Sequence, residues 1–170
     1  IWVGVGKMSD SQVTFPLAPV YKRKGIEFVQ ALATEIHPEG DSSHSKGFVV
    51  VRRTSEIGTG ELVELEYDYL INATGPKLNF AATPGLGPDG HTVSVCTSGH
   101  AIEAASHLKD VINKMKHGEP QTLVVGVGHG TCTCEGAAFE YVFNVEHELR
   151  QAGVRDKANL IYFTNENELG

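Results

Sequence analysis

No long block of lysine and arginine runs through the 170 residues, and 14 basic residues are outnumbered by 21 acidic ones, for a formal net charge of −7. That balance argues against nucleic acid as a main partner, because phosphate binding needs clustered cations. No stretch approaches the roughly 20 apolar residues that cross a bilayer as a helix. The apolar start at residues 1–6 is short and has no basic region before it, so it does not read as a signal peptide. Cysteine is scarce as well. Cys96, Cys132 and Cys134 make an odd number, so at least one thiol is unpaired or pairs outside the chain. Internal repeats and low-complexity tracts are absent. What remains is 41% apolar and 21% charged, the composition of an ordinary globular protein, and the length suits about one domain of roughly 100–200 residues. The chain begins at Ile1 rather than Met and stops at Gly170 after a polar run, a pattern expected of a piece cut from a larger fold.

Local patterning predicts a mixed architecture. Residues 15–25 carry two prolines near the start, Lys22, Arg23 and Lys24 in the last turn and a closing Gly25, the marks of a helix. Residues 26–29 read as a strand, and the polar stretch 37–46 as a loop. Residues 47–53 are β-rich. After the turn at Gly58-Thr59-Gly60, Val63, Leu65, Tyr67 and Tyr69 alternate with Glu64, Glu66 and Asp68, which places the apolar set on one sheet face and the carboxylates in water. An antiparallel hairpin follows, with 26–29 as its third strand. Residues 70–76 end a further strand in a tight turn. Beyond a Pro/Gly-rich loop, Ile102, Ala105, Leu108, Val111, Ile112 and Met115 recur at helical spacing from about Ser98 to His117. Residues 122–128 read as a buried strand running into glycines. Ala138, Val142, Val145, Leu149 and Ala152 mark a helix closed by Gly153, and residues 160–163 a last strand. Residues 122–163 thus form a β-α-β unit, which implies a parallel sheet with a right-handed crossover. A boundary between the hairpin region and this unit falls near residue 120.

Three places carry residues suited to chemistry. The stretch Gly126-Val127-Gly128-His129-Gly130-Thr131 approaches G-x-G-x-x-G, in which backbone N–H groups and a helix N-terminus face a pyrophosphate. Its third glycine sits one place early, so a close-packed βα turn that binds nothing fits equally well. Cys132-Thr133-Cys134 lies where the next helix begins, and a thiol there feels the positive end of the helix dipole, which favours the thiolate. C-x-C is too short for the usual redox C-x-x-C, and His129, Cys132 and Cys134 fit no standard zinc spacing. Buried, unreactive thiols are the plainer alternative. The third place is Cys96-Thr97-Ser98-Gly99-His100: Cys96 and His100 become neighbours if a helix turn starts at Cys96, and a histidine beside a thiol can accept its proton. A surface-loop cysteine and histidine fit as well. Cys96 and Cys134 both follow loop-to-helix transitions and can converge on one cleft.

Taken together, Ala73-Thr74-Gly75-Pro76-Lys77, then Val95-Cys96-Thr97-Ser98-Gly99-His100-Ala101, then Cys134-Glu135-Gly136-Ala137-Ala138-Phe139-Glu140-Tyr141 resemble bacterial sulfide:quinone oxidoreductase. The opening Trp2-Val3-Gly4-Val5-Gly6 and the run from Phe15 to Ile26 resemble it too, so the likeness covers nearly the whole chain apart from a longer hairpin around 38–61. The resemblance implies an α/β fold of the FAD/NAD(P)-binding, Rossmann-like (flavin disulfide-reductase-like) type with an antiparallel β-hairpin region. Residues 1–120 are then the C-terminal part of a first FAD-binding domain and 121–170 the start of a second Rossmann-like domain.

The implied activity is oxidation of sulfide to polysulfide and sulfur, with electrons passed through a cysteine persulfide and FAD to a membrane quinone, at the bacterial cytoplasmic membrane. By the resemblance Cys134 holds the sulfur chain with a partner cysteine beyond these residues. Cys96 is the second active-site cysteine, His100 lies near the site, and Glu140 assists proton transfer. Thr74 and Gly75 approach FAD, and Ala33 lies beside its adenine. No metal is implied, and self-association into a homo-oligomer is left open. Cys132 is an extra thiol that competes with Cys134 for the catalytic role. Alternatives are the flavoprotein subunit of flavocytochrome c sulfide dehydrogenase and a non-enzymatic thiol or zinc-binding module. Type II NADH dehydrogenase lacks the paired cysteine sites and wants an intact G-x-G-x-x-G.

Overall fold

The computed structural model describes residues 1–128, 130 and 135–164. The chain is α/β, with an antiparallel and a parallel sheet, and divides into two compact units: residues 16–77, and residues 1–15 together with 78–170.

The unit 16–77 opens with helix α2 (Leu17–Lys24), which follows the four-residue helix α1 (Asp10–Val13) of the other unit. Pro16 sits at its N-cap. Gly25, with φ +69°, closes its C-terminus beside Lys22, Arg23 and Lys24, whose charges suit the carbonyl end. A three-stranded antiparallel sheet follows in the order β1 (Ala31–His37), β2 (Phe48–Arg53), β3 (Leu62–Glu66). The central strand β2 buries Phe48, Val49, Val50 and Val51 in succession, because both its neighbours are in place. In β3 the alternation holds: Val63 and Leu65 are half-buried while Glu64 and Glu66 face water.

The third strand is not at 26–29, as its composition suggests, but five residues later. Pairing starts at His37↔Phe48 and ends at Ala31↔Arg53, so residues 26–29 lie beyond the end of β2 with no ladder to join. Phe28 instead stacks on Tyr21 of α2 at 5.3 Å. A bulge between Ala33 and Glu35 adds one residue to β1, and the Thr34 hydroxyl donates to the Val50 carbonyl at 3.1 Å. The expected strand at 70–76 also fails to form. Residues 67–79 have no regular structure and join no strand of this unit's sheet, and Tyr69 (93% exposed) and Ile71 (88%) lie in water.

The second unit is built on helix α3 (Ser98–Lys116), strand β4 (Gln121–Gly126), helix α4 (Glu135–Gln151) and strand β5 (Ala158–Phe163). β4 and β5 pair in parallel from Gln121↔Ala158 to Gly126↔Phe163, with α4 as the crossover. The core joins Val5, Leu108, Met115, Val145, Leu149 and Val154. The residues 1–6 turn contributes Val3 and Val5 to the buried set rather than forming a strand. In α3 the buried face is Ala101, Ala104, Leu108 and Met115, while Ile102 is 51% exposed. Small side chains at 101 and 104 bring the helix close to its neighbours, and the larger Ile102 is turned out. Gly153, with φ +67°, ends α4 where the spacing of its apolar residues stops.

A candidate thiol site at the start of the third helix

Cys96 is exposed, and its backbone N–H donates to the Ser94 hydroxyl at 3.2 Å. Thr97 follows as the N-cap of α3. Its φ of −126° and ψ of 160° are extended, and its hydroxyl accepts from the His100 N–H at 3.2 Å. The helix therefore begins at Ser98, two residues later than an i, i+4 pairing of Cys96 with His100 needs. Cys96 lies just outside the cap, and His100 occupies the third helical position, from which a side chain reaches back towards the cap.

His100 is half-buried. Its ring meets that of Phe80 edge to face, with centroids 5.9 Å apart and planes at 61°. Its Nδ1 is buried without a hydrogen-bond partner among the described residues. Phe80 opens a 3-10 turn (Phe80–Ala82) and a glycine-rich loop that runs to Thr92. That loop also seats on the end of β4. The Thr83 hydroxyl donates to the Gly128 carbonyl at 3.1 Å, and a Cβ on Gly128 would stand 2.7 Å from Leu86. One loop thus touches both the first turn of α3 and the carboxyl end of β4, beyond which α4 starts. Phe80, Thr83 and Leu86 carry no signal of their own in the sequence. The glycines around them signal a turn, but nothing in the sequence says what the turn holds.

Two of the three glycines of the near-fingerprint are used by the protein itself. A Cβ on Gly126 would run into the Phe163 carbonyl oxygen of the neighbouring strand, and one on Gly128 into Leu86. Both positions therefore serve close packing. Among the described residues no group of three or more His, Cys, Asp and Glu is placed to hold a metal. His129, Thr131, Cys132 and Cys134 lie outside the described residues.

Glu140 is exposed on α4, and its backbone carbonyl accepts from Asn144 Nδ2 at 2.7 Å. The next residue, Tyr141, is turned inward and its hydroxyl donates to the Gly4 carbonyl at 3.2 Å, fastening the N-terminal turn to α4. Burial pushes the Tyr141 hydroxyl up to about 12. Thr74, Gly75 and Ala33 belong to the unit 16–77. Asn72 Oδ1 accepts from the Thr74 N–H at 3.3 Å and its hydroxyl at 3.0 Å, and Gly75 follows with φ +71°. A Cβ added there would meet nothing within 4 Å. Ala33 is exposed beside the β1 bulge. An open cleft of about 550 Å³, lined by Arg150, Gly153, Arg155 and Asp156, lies near the opposite end of the parallel pair and contains none of these residues. No helix among the described residues is long and apolar enough to cross a membrane.

No family model matches the chain, and no solved structure matches it. The sulfide-quinone reductase of Aquifex aeolicus (strain VF5) is 30% identical over 168 residues, which is 99% of this chain and 34% of that protein. The chain therefore spans about a third of the curated relative it matches, and the match supports a distant relationship to the sulfide-quinone reductases.

Proposed function

We propose that residues 1–170 are part of an FAD-dependent oxidoreductase that oxidises sulfide to polysulfide and sulfur and delivers the electrons to a membrane quinone. The observation that carries this reading is the 30% identity to a sulfide-quinone reductase, which runs over 99% of the chain rather than over one motif. On this reading residues 1–120 belong to a first FAD-binding domain and 121–170 begin a second, Rossmann-like one, a division separate from the two compact units. The protein would sit at the bacterial cytoplasmic membrane as a peripheral enzyme.

The turn at Thr74 and Gly75 fits an FAD-holding role on its own geometry. Asn72 fixes its shape, and the open space over Gly75 leaves backbone that a flat group can approach closely. Ala33 adds an exposed small side chain in the same unit. Bound there, FAD supplies the two-electron acceptor. The chain's own residues handle the sulfur. Hydrosulfide attacks a disulfide made by Cys134 and a cysteine outside these residues; a new S–S bond forms on one sulfur, the old one breaks, and the other cysteine leaves as thiolate. Cys96, exposed ahead of α3, is the second thiol. His100 takes up the proton at the Cys96 side, and the water-exposed Glu140 carboxylate passes protons to solvent.

Cysteine replacement tests the assignment in the longer polypeptide that this reading requires. Cys134→Ser should abolish sulfide-dependent quinone reduction while FAD stays bound, and Cys132→Ser should matter far less. Activity unchanged in Cys134→Ser refutes its role; greater damage from Cys132→Ser moves that role to Cys132. Stoichiometric zinc in a protein without flavin refutes the enzyme reading altogether.

A further inference from the structure

We propose that Phe80 is a positioning residue that fixes the His100 imidazole in the first turn of α3; the proposal rests on the reading above that His100 serves the Cys96 thiol. A histidine that moves protons is ordinarily oriented by a hydrogen bond through its other ring nitrogen, to a carboxylate or a carbonyl. His100 has no such tether at Nδ1, which is buried and unpartnered among the described residues. What its ring does have is Phe80, at 5.9 Å and 61°, an edge-to-face geometry that aromatic rings favour.

Phe80 is itself held. A Cβ on Gly87 would stand 2.5 Å from Phe80 Cγ, so the ring lies against bare backbone that no other residue could present. Gly87 has φ +96°, a conformation open to glycine. Its N–H donates to the Thr92 hydroxyl at 2.7 Å and its carbonyl accepts from the Gly90 N–H at 2.9 Å. Leu86 and Thr83 fasten the same loop to Gly128 at the end of β4. A glycine-shaped loop therefore grips one aromatic ring, and that ring orients the imidazole. With an aliphatic side chain in its place the imidazole spreads over its rotamers. A proton transfer that needs alignment then slows.

The test uses the 170-residue chain carrying Cys132→Ser and Cys134→Ser, so that Cys96 is the single thiol. Its alkylation by iodoacetamide is timed at pH 7 and at pH 10, where free thiols ionise without help. Phe80→Leu should slow alkylation at pH 7 by roughly tenfold, a fraction of what a well-placed general base contributes, and leave the pH 10 rate unchanged. Phe80→Tyr should restore the pH 7 rate. Equal slowing at both pH values, or no change at either, overturns the proposal. His100→Gln separates the two layers. If it leaves the pH 7 rate unchanged, the reading of His100 fails, and Phe80 is judged on the His100 Hε1 resonance, identified by its loss in His100→Gln. That resonance should move towards the position of a free imidazole in Phe80→Leu and return in Phe80→Tyr. An unmoved resonance in Phe80→Leu, with far-UV circular dichroism retained, overturns the positioning role.

Discussion

Replacing Gly126 by alanine should destabilise the unit that contains the parallel sheet, and the sign of the effect carries the information. Gly126 is the last residue of β4 and pairs with Phe163. A Cβ there would collide with the Phe163 carbonyl oxygen and stand 2.8 Å from its ring. The obstacle is backbone, so relief requires the two strands to separate rather than a side chain to swing away. Overpacking of this kind costs about 2 kcal/mol, the middle of its usual range. With a urea slope of about 2 kcal/mol/M, the unfolding midpoint should fall by about 1 M. The fluorescence of Trp2, the single tryptophan, reports on the correct unit. If Gly126 existed only to admit a ligand's phosphates, the space around it would be open and alanine would stabilise by about 0.5 kcal/mol through the unfolded chain. A midpoint raised by about 0.25 M, or unmoved, refutes the packing argument. Gly99→Ala is the control: in the first turn of α3 its Cβ meets nothing within 4 Å, and the midpoint should rise slightly.

Leu149, fully buried in the core beside Met115 and Val145, should cost about 3 kcal/mol when cut to alanine, whereas Ile102→Ala, on the exposed side of α3, should cost under about 1 kcal/mol by the same urea titration. Tyr141 binds its proton more tightly folded than unfolded, so its contribution is complete below pH 10 and is lost as pH rises through about 12. Alkaline titration should remove about 2–3 kcal/mol over that interval, and Tyr141→Phe should abolish this dependence. The Asp41 carboxyl is held below its ordinary value, first by the Ser43 N–H at 2.7 Å and further by the His44 N–H and ring. Its contribution is present above the ordinary carboxylate range and lost as pH falls through the folded value. Protection of the 38–47 loop amides, taken relative to their intrinsic exchange rate at each pH, should fall in acid, and Asp41→Asn should flatten that response.

The second half of the chain was legible because its signals are local and redundant. In α4 the spacing of Val142, Val145 and Leu149 agrees with the stop at Gly153, and the flanking strands are rich in Val, Leu and Ile. The first half depended on what lies beside each strand. Residues 26–29 have strand composition, but register is set from the 38–47 loop outward and runs out at Ala31. Residues 70–76 have it too, and pairing is what they lack. On α3, size misled: Ile102 looks more like core than Ala101 or Ala104, yet close approach at a helix contact favours the small residues. At the candidate site, the sequence pointed to Cys96 and His100 together and started the helix at Ser98, where it does begin, so the turn from Cys96 that would pair the two does not form. It could not foresee the grip of Gly87 on Phe80 or the contact of Phe80 with His100, because both depend on a loop conformation visible only in three dimensions.

The central claim is that these residues belong to a sulfide-oxidising flavoprotein, and anaerobic addition of sulfide to the longer polypeptide, followed by its visible absorbance, tests it most directly. The protein should be yellow, bleached by sulfide and restored by decylubiquinone. A colourless protein, or a flavin that sulfide leaves unchanged, contradicts it.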